Sequence, residues 1–326
     1  MADAERTLEP MPPESSRPGP IEIAVVGSAN VDLSIQVPRI PAPGETVLGG
    51  DTARGSGGKG ANQAVAASRL GRRVAFVGRV GDDEGGLWLR ERLEDDLVDV
   101  RALLSTRGVP TGMAVITVDP AGENSIVVAP GANRRVTPHD VNAADTILAE
   151  ASVVLTQLEI PLDVVAALPS HTRGLLVLNP APAQPGVALG DYDLVVPNRG
   201  ELAVLAGADE TPDLAVVADQ ARSLDTPVVV VTLGAQGAMV VRNEPDPLTG
   251  EAGGPQVVTL PALPVTAVDT TAAGDSFCGA LAAALVEGAT IVQAASWAVR
   301  VAGVTVTVRG AQDSLPHRAA VGSWED

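Results

Sequence analysis

Short, nearly uninterrupted apolar runs at Ile21–Val26, Val74–Val77, Val153–Leu155, Leu175–Leu178, Leu194–Val196 and Val228–Val231 constrain the fold more than any other feature of the chain. Each is too short for a helix and lacks polar residues at alternate positions, so a strand made from it has two faces to bury. Helical stretches separate the runs, which is the pattern of βαβ units. The expectation is a three-layer α/β fold with a mostly parallel central sheet between helices. Two segments break the alternation. Leu33 to Thr52 is punctuated by Pro38, Pro41, Pro43, Gly49 and Gly50, and Thr111 to Val128 carries a turn at Asp119-Pro-Ala-Gly-Glu123. Both read as antiparallel strands with polar turns, expected to pair as a small β-sheet lid with strands from about 33–53 and 111–129. Residues 1–20 are acidic, rich in proline and without an apolar core, unlike a signal peptide. They read as a disordered extension, leaving 21–326 as one domain.

Composition narrows the partners. The net charge of -18 opposes any approach to a polyanion, so a nucleic-acid partner is not expected. No apolar run approaches the ~18 residues of a membrane span, and the one cysteine, Cys278, can form no internal disulfide and reads as a small buried hydrophobe. Small-molecule chemistry in the cytoplasm, away from membranes, is the resulting expectation. His139, His171 and His317 are scattered without ligand spacing and read as surface residues. Lys59 is the only lysine in the chain.

That lysine lies in Gly55-Ser-Gly57-Gly58-Lys59-Gly60, which matches GxGxxG literally. A dinucleotide fingerprint needs a buried strand immediately before it, and Gly49 to Arg54 does not read as one. Nor is it a Walker A loop, because Gly60 follows Lys59 where Ser or Thr is required. The stretch does open a helix over Lys59 to Leu70, with Gly71 as its stop and Asn62 one turn in, so N–H groups and a lysine converge at a helix start. The plain alternative is a tight turn with a solvated lysine. A second site, Val268-Asp-Thr-Thr-Ala-Ala-Gly-Asp275, leads into a helix whose Phe277, Ala280, Leu281, Ala284 and Leu285 share one apolar face. Asp275 falls in its first turn, behind small residues that leave backbone N–H groups open to an anion. A carboxylate beside an anion hole is what phosphoryl transfer to an alcohol requires. The plain alternative is a helix cap.

Together, Gly57-Gly-Lys-Gly-Ala-Asn-Gln-Ala64 and Asp269-Thr-Thr-Ala-Ala-Gly-Asp275 resemble the paired signatures of the ribokinase-like carbohydrate kinases. The resemblance runs from Ile21 to about Pro316, through Gly27-Ser-Ala-Asn30-Val-Asp32, Pro43-Gly-Glu-Thr46, Gly122-Glu-Asn124, Gln157-Leu-Glu159, Asn179-Pro-Ala-Pro182 and Arg309-Gly-Ala-Gln312. It implies transfer of the γ-phosphate of MgATP to the 5-hydroxyl of a pentose, with ribose ahead of deoxyribose, fructose or adenosine. A non-catalytic sugar sensor is the reading from another class.

Carried to this chain, the resemblance makes Asp275 the general base and Ala272, Ala273 and Gly274 the anion hole. It places Asn30, Asp32, Gly58, Lys59, Gly60, Ala61, Asn62 and Glu159 around the sugar with Asp275. Without it, Asn30 and Asp32 read as a turn and Glu159 as a surface carboxylate. The nucleotide falls to Asn198, Thr232, Leu233, Gly234, Ala235, Gln236, Gly237, Gly274 and Asp275, with Val299 where the family carries Asn or His beside adenine. Asn198 and Glu201 match a motif that positions magnesium and phosphates, acting through water. A potassium site is implied at Asp269, Thr271, Thr305, Val308, Gly310 and Ser314, although the second of these loops alone reads as an ordinary turn. A homodimer through the lid is the implied assembly.

Overall fold

A computed structural model describes residues 19–120, 122–243 and 256–325. The expected extension over residues 1–20 falls outside them except for its last two residues. The strands are β1 (Ile23–Val26), β2 (Asn30–Gln36), β3 (Thr52–Gly57), β4 (Val74–Gly81), β5 (Leu103–Thr106), β6 (Gly112–Val118) and β7 (Asn124–Ala129). They continue with β8 (Val153–Gln157), β9 (Leu175–Asn179), β10 (Leu194–Val195), β11 (Val228–Thr232), β12 (Ala238–Arg242) and β13 (Gln256–Leu260). Nine form the main sheet in the order β13-β12-β11-β10-β9-β8-β1-β4-β5. It is parallel from β5 to β11, with β12 and β13 added antiparallel at one edge.

The apolar runs behave as two-faced strands must. Ile23 and Val25 of β1 enter one core while Ala24 and Val26 enter the other, and β11 divides Val228 and Val230 from Val229 and Val231 in the same way. Each buried side chain of this size is worth about 1.5–3 kcal/mol. A polar residue on either face would therefore be costly, which is why Ile23–Val26 and Val228–Val231 have none. Helices Lys59–Arg69, Ala273–Val286 and Ile291–Thr305 cover the first face. Shorter helices, among them Leu162–Ala167, Arg199–Ala206 and Leu214–Arg222, cover the second.

A separate four-stranded sheet has the order β3-β2-β6-β7. Its strands come from the two segments that broke the alternation, with two differences from expectation. No strand occupies 37–51, where Pro38, Pro41 and Pro43 cannot donate to a ladder. The central pair β2 and β6 is parallel, while β2–β3 and β6–β7 are antiparallel. A strand, β3, therefore does run up to the glycine loop at Gly57. It is an exposed edge strand of the small sheet, not the buried parallel strand that a dinucleotide fingerprint needs.

Period-two alternation gives the small sheet two chemically different faces. Asn30, Asp32, Ser34 and Gln36 of β2 share one face with Gly55 of β3 and Ile116 of β6. Leu33, Val115 and Val127 lie in register on the other. That second face is apolar and largely uncovered, with Val115 38% and Val127 68% exposed.

Candidate active site

Asp275 sits in the first turn of the Ala273–Val286 helix, whose N-cap, Ala272, has left-handed backbone (φ 58°) and makes no side-chain capping bond. A left-handed alanine costs about 1–2 kcal/mol, so the turn is held by its surroundings rather than by preference. The N–H of Ala273 donates to Thr270 at 3.3 Å, whereas those of Gly274 and Asp275 lie where a helix has no carbonyl to offer. Of the expected anion hole, Gly274 thus presents a free donor and Ala273 an occupied one.

The Lys59–Arg69 helix is pressed against this one. A Cβ on Gly279 would lie 2.6 Å from the Ala66 methyl and 2.9 Å from the Gln63 carbonyl oxygen, so glycine permits the contact. Close approach brings Asn62 and Gln63 onto Asp275. Asn62 Nδ2 donates to Oδ2 at 2.9 Å and Gln63 Nε2 to Oδ1 at 3.0 Å, in a site where Asp275 is 6% exposed.

At the start of that helix Gly58 has φ 89°, and a Cβ there would lie 2.8 Å from Ala29 Cα and from the Asn30 nitrogen. Only glycine allows the loop to lie against β2. Glu159 follows β8 and accepts from Lys59 N at 3.1 Å and from Ser28 Oγ, so it faces the site instead of the surface. Asn30 Oδ1 accepts from Asn133 Nδ2 at 2.7 Å. Gly60 and Ala61 are packed against the turn that follows β1. A Cβ on Gly60 would meet the Gly27 and Ser28 backbone, and the Ala61 N–H donates to the Ser28 carbonyl while its methyl joins the core.

Electrostatics set Asp32 apart. Among the described residues its carboxylate has no hydrogen-bond partner, and burial, then Glu159, then Asp275, push it up to about 7. Lys59 shows the opposite balance. Burial works against its charge, but Asp275, Glu159 and Glu201 outweigh this and hold it above its ordinary value. One lysine thus serves a cluster of carboxylates without forming an ion pair to any of them.

Two cavities adjoin at Ala267 and Thr270, which line both. The first, about 630 Å³, lies under the small sheet and takes in Asp32, Ser34, Arg54 and Gln312. The second, about 650 Å³, is bounded by Thr232, Gly234, Gly237, Gly274, Phe277 and Val299. Ala235 and Gln236 also line it, whereas Leu233 turns into the core at 2% exposure. Asn198 bridges to Thr232 beside this cavity and caps the Arg199–Ala206 helix reciprocally with Glu201, each side chain bonding the other's backbone N–H at 2.8 Å. Only Oε2 of Glu201 is committed to the cap. Burial raises this carboxyl, partly offset by the Asn198 N–H and by Lys59. A carboxylate with a spare oxygen near a cavity edge fits a hydrated magnesium ion.

The expected cation loops do meet. Asp269 accepts from Thr271 N and from Gly310 N, each at 2.9 Å, and Val268 N donates to Val306 O at 2.7 Å. Burial works to raise the Asp269 carboxyl, but these N–H bonds outweigh it and hold it below the ordinary range. A carboxylate among loop carbonyls fits a monovalent cation. The side chains of Thr305 and Ser314 are engaged elsewhere, Thr305 with Ser276 at 2.8 Å and Ser314 with Ala311 at 2.8 Å, and Val308 is 46% exposed. Any part these three play falls to their backbone. Among the described residues no group of three or more His, Cys, Asp or Glu forms a metal cluster.

Five participants escaped the sequence reading as site residues: Ser28, Gln63, Asn133, Gln157 and Asn179. Gln63 and Gln157 stood inside motifs already noted, and a glutamine at 0% exposure in an alanine-rich helix is itself a signal.

Comparison with known proteins agrees with this geometry. The chain is 37% identical over 303 residues to the ribokinase of Haemophilus influenzae, covering 91% of this chain and 95% of that one. It is 33% identical over 304 residues to a deoxyribokinase of Salmonella typhi, covering 91% and 96%. It also spans 55% of the length of a bifunctional ribokinase/ribose-5-phosphate isomerase A from Fructilactobacillus sanfranciscensis, at 36% identity over 310 residues and 92% of this chain. The crystal structure of Thermotoga maritima ribokinase superposes with a TM-score of 0.81 at 33% identity, covering 94% of this chain and 99% of that one. That of Arabidopsis thaliana ribokinase complexed with ribose and ATP gives 0.78 at 31% identity, covering 93% and 98%. A sequence model described as pfkB family carbohydrate kinase matches residues 21–318. With nearly the whole chain matched by that model and by relatives of this identity, this protein belongs to the pfkB family of carbohydrate kinases.

Proposed function

We propose that this kinase transfers the γ-phosphoryl group of MgATP to the 5-hydroxyl of ribose, with Asp275 as general base. The observation that carries the reading is the setting of Asp275: buried, held by two neutral amides, and one residue from an unoccupied N–H donor at a helix start. Neutral donors fix a carboxylate without the cation that would make it a poor base. As the hydroxyl oxygen attacks phosphorus, Asp275 takes its proton, and the N–H groups of Gly274 and Asp275 meet charge growing on the transferring group. Magnesium, when bound, would supply further charge compensation, with Asn198 and Glu201 as the residues that would position it through water.

Asp32, unpaired among the described residues and facing the lid cavity, accepts sugar hydroxyls, with Asn30, Asn62 and Glu159 around the same ring and the Lys59 ammonium donating to it. The polar face of β2 closes over the ring, and the uncovered apolar face bearing Leu33, Val115 and Val127 supports a homodimer through the lid. Similarity to a deoxyribokinase makes deoxyribose the competing substrate. A carboxylate deprived of its hydroxyl partner costs about 1–3 kcal/mol, so ribose should lead by about tenfold or more in kcat/KM.

The test is phosphoryl transfer to ribose, deoxyribose and adenosine by the wild type and by Asp275→Asn. The variant should lose about 10²–10⁴-fold in kcat while still binding sugar. Retention of more than about a tenth of wild-type kcat removes Asp275 from the role. Parity of deoxyribose with ribose, or a preference for adenosine, overturns the assignment of ribose.

A further inference from the structure

The amide that holds Asp275 Oδ1 is itself held in one orientation from further inside the molecule. Gln63 is 0% exposed, and its Nε2 donates to Asp275 Oδ1 and to Asn179 Oδ1, each at 3.0 Å. Its Oε1 accepts from Gln157 Nε2 at 2.6 Å. Asn179, at the end of β9, donates through Nδ2 to the Val196 carbonyl at 2.9 Å. Directionality follows from that last bond, because a backbone carbonyl can only accept. Asn179 must therefore turn its oxygen toward Gln63, Gln63 must answer with its NH₂, and the same NH₂ reaches Asp275. The Gln157 N–H closes the other side by occupying the one Gln63 atom that would repel a carboxylate.

The arrangement has a visible cost. Gln157 Oε1 and Asn62 Oδ1 are buried without partners, and an unsatisfied buried acceptor is unfavourable in itself. Gly27 makes room for the Gln157 amide, since a Cβ there would lie 2.2 Å from Oε1. A network serving only to pin a helix to the sheet gains nothing by leaving acceptors unpaired around a carboxylate.

We infer that Gln63 is a positioning residue for the phosphoryl-transfer step: it locks the Asp275 carboxylate in the orientation that receives the hydroxyl proton, and takes its own orientation from Asn179 and Gln157. The inference rests on the reading of Asp275 as the base. Around Asp275 the other titratable groups are Asp32, Lys59, Glu201 and Cys278. None of them hydrogen-bonds it, so its orientation is left to the two amides.

The experiment compares Gln63→Leu, Gln63→Glu and Gln157→Met with the wild type and with Asp275→Asn. Sugar binding by calorimetry and thermal melting establish that each variant is folded. Gln63→Leu should lower kcat by about 10–100-fold, the scale of one lost hydrogen bond to a charged group, with KM for sugar and ATP within about threefold. The acidic limb of its kcat profile, measured with sugar saturating so that the protonation of free-enzyme Asp32 drops out, should move to higher pH, because a donor that favoured the ionised carboxylate is gone. Gln63→Glu, with a second carboxyl beside the first, should move the limb further in the same direction. Gln157→Met frees Gln63 to rotate and should give a weaker version of both effects, which keeps the test available if a Gln63 variant fails to fold. If Asp275→Asn is inactive while the folded variants keep wild-type kcat and pH profile, the positioning role is wrong and the base assignment stands. A fall in kcat without movement of the acidic limb likewise overturns it, as the sign of a structural role alone. If Asp275→Asn remains active, the base assignment itself fails and this inference falls with it.

Discussion

The unpaired Asp32 carboxylate makes sugar affinity depend on pH in a direction that can be worked out in advance. Burial, Glu159 and Asp275 push it up to about 7 in the empty site, so near neutrality it is divided between acid and carboxylate. Only the carboxylate accepts two sugar hydroxyls, and the acid form must first release its proton. At pH 8 about 90% of sites are competent and at pH 6 about 10%, so the apparent Kd for ribose should rise about tenfold between them. The sign for stability is opposite. A carboxyl raised above its ordinary value favours the folded state most below that value, and its contribution is lost as pH rises through about 7. Sugar should therefore raise the Tm more at pH 8 than at pH 6. Calorimetric titration of ribose without nucleotide reads the effect directly, with proton release at pH 6 seen as a dependence of the heat on buffer. Asp32→Asn should bind weakly with a Kd that is flat over this range. A wild-type Kd constant within about twofold from pH 6 to 8, or an equal slope in Asp32→Asn, refutes the reasoning.

Two further outcomes follow from the same site. In Gly57→Ala the new Cβ would lie 2.1 Å from Asp32 Oδ2 and 2.5 Å from Cγ, so the carboxylate must move. KM for sugar should rise by about tenfold or more with KM for ATP unchanged, and overpacking should cost about 1–3 kcal/mol in a denaturant melt. Potassium should raise kcat above the rate in a bulky organic cation at matched ionic strength, and Asp269→Ala, which unties Thr271 and Gly310, should abolish the difference; equal wild-type rates in the two salts would exclude a cation at these loops.

The parallel sheet was legible because a strand buried on both faces leaves a mark that needs no neighbours: Ile23 to Val26 could hardly be anything else. Strands β5, β12 and β13 left no such mark. Leu103–Thr106 and Gln256–Leu260 lie at the two ends of the main sheet and carry polar residues, and β12 follows β11 closely enough to merge with it into one apolar stretch. The local parts of the site were equally legible, because glycine loops and a first-turn aspartate are written in consecutive residues. What was not legible is the set of contacts made at a distance. Gln63 and Asn179 are 116 residues apart and meet only because two helices and the end of β9 converge. The same holds for Asp32, whose unusual acidity is a property of its neighbours Glu159 and Asp275. Leu233 shows the converse: inside a loop motif its side chain belongs to the core, so any part it plays falls to its backbone.

The glycine contact between the Lys59–Arg69 and Ala273–Val286 helices has a mechanical consequence. On the proposed reading, Lys59 and Asn62, which meet the acceptor, and Asp275, which takes its proton, ride on a single stiff body, locked at Gly279 with no slack for one helix to slide on the other. The relation between acceptor and base is thus machined into the apoprotein rather than assembled at each turnover. Any motion needed to admit and release the sugar then falls to the four-stranded sheet, which brings Asn30 and Asp32 of β2. Variants that loosen β2 or β3 should then alter how the sugar is admitted and held through Asp32 while leaving the alignment of Asn62 with Asp275 untouched.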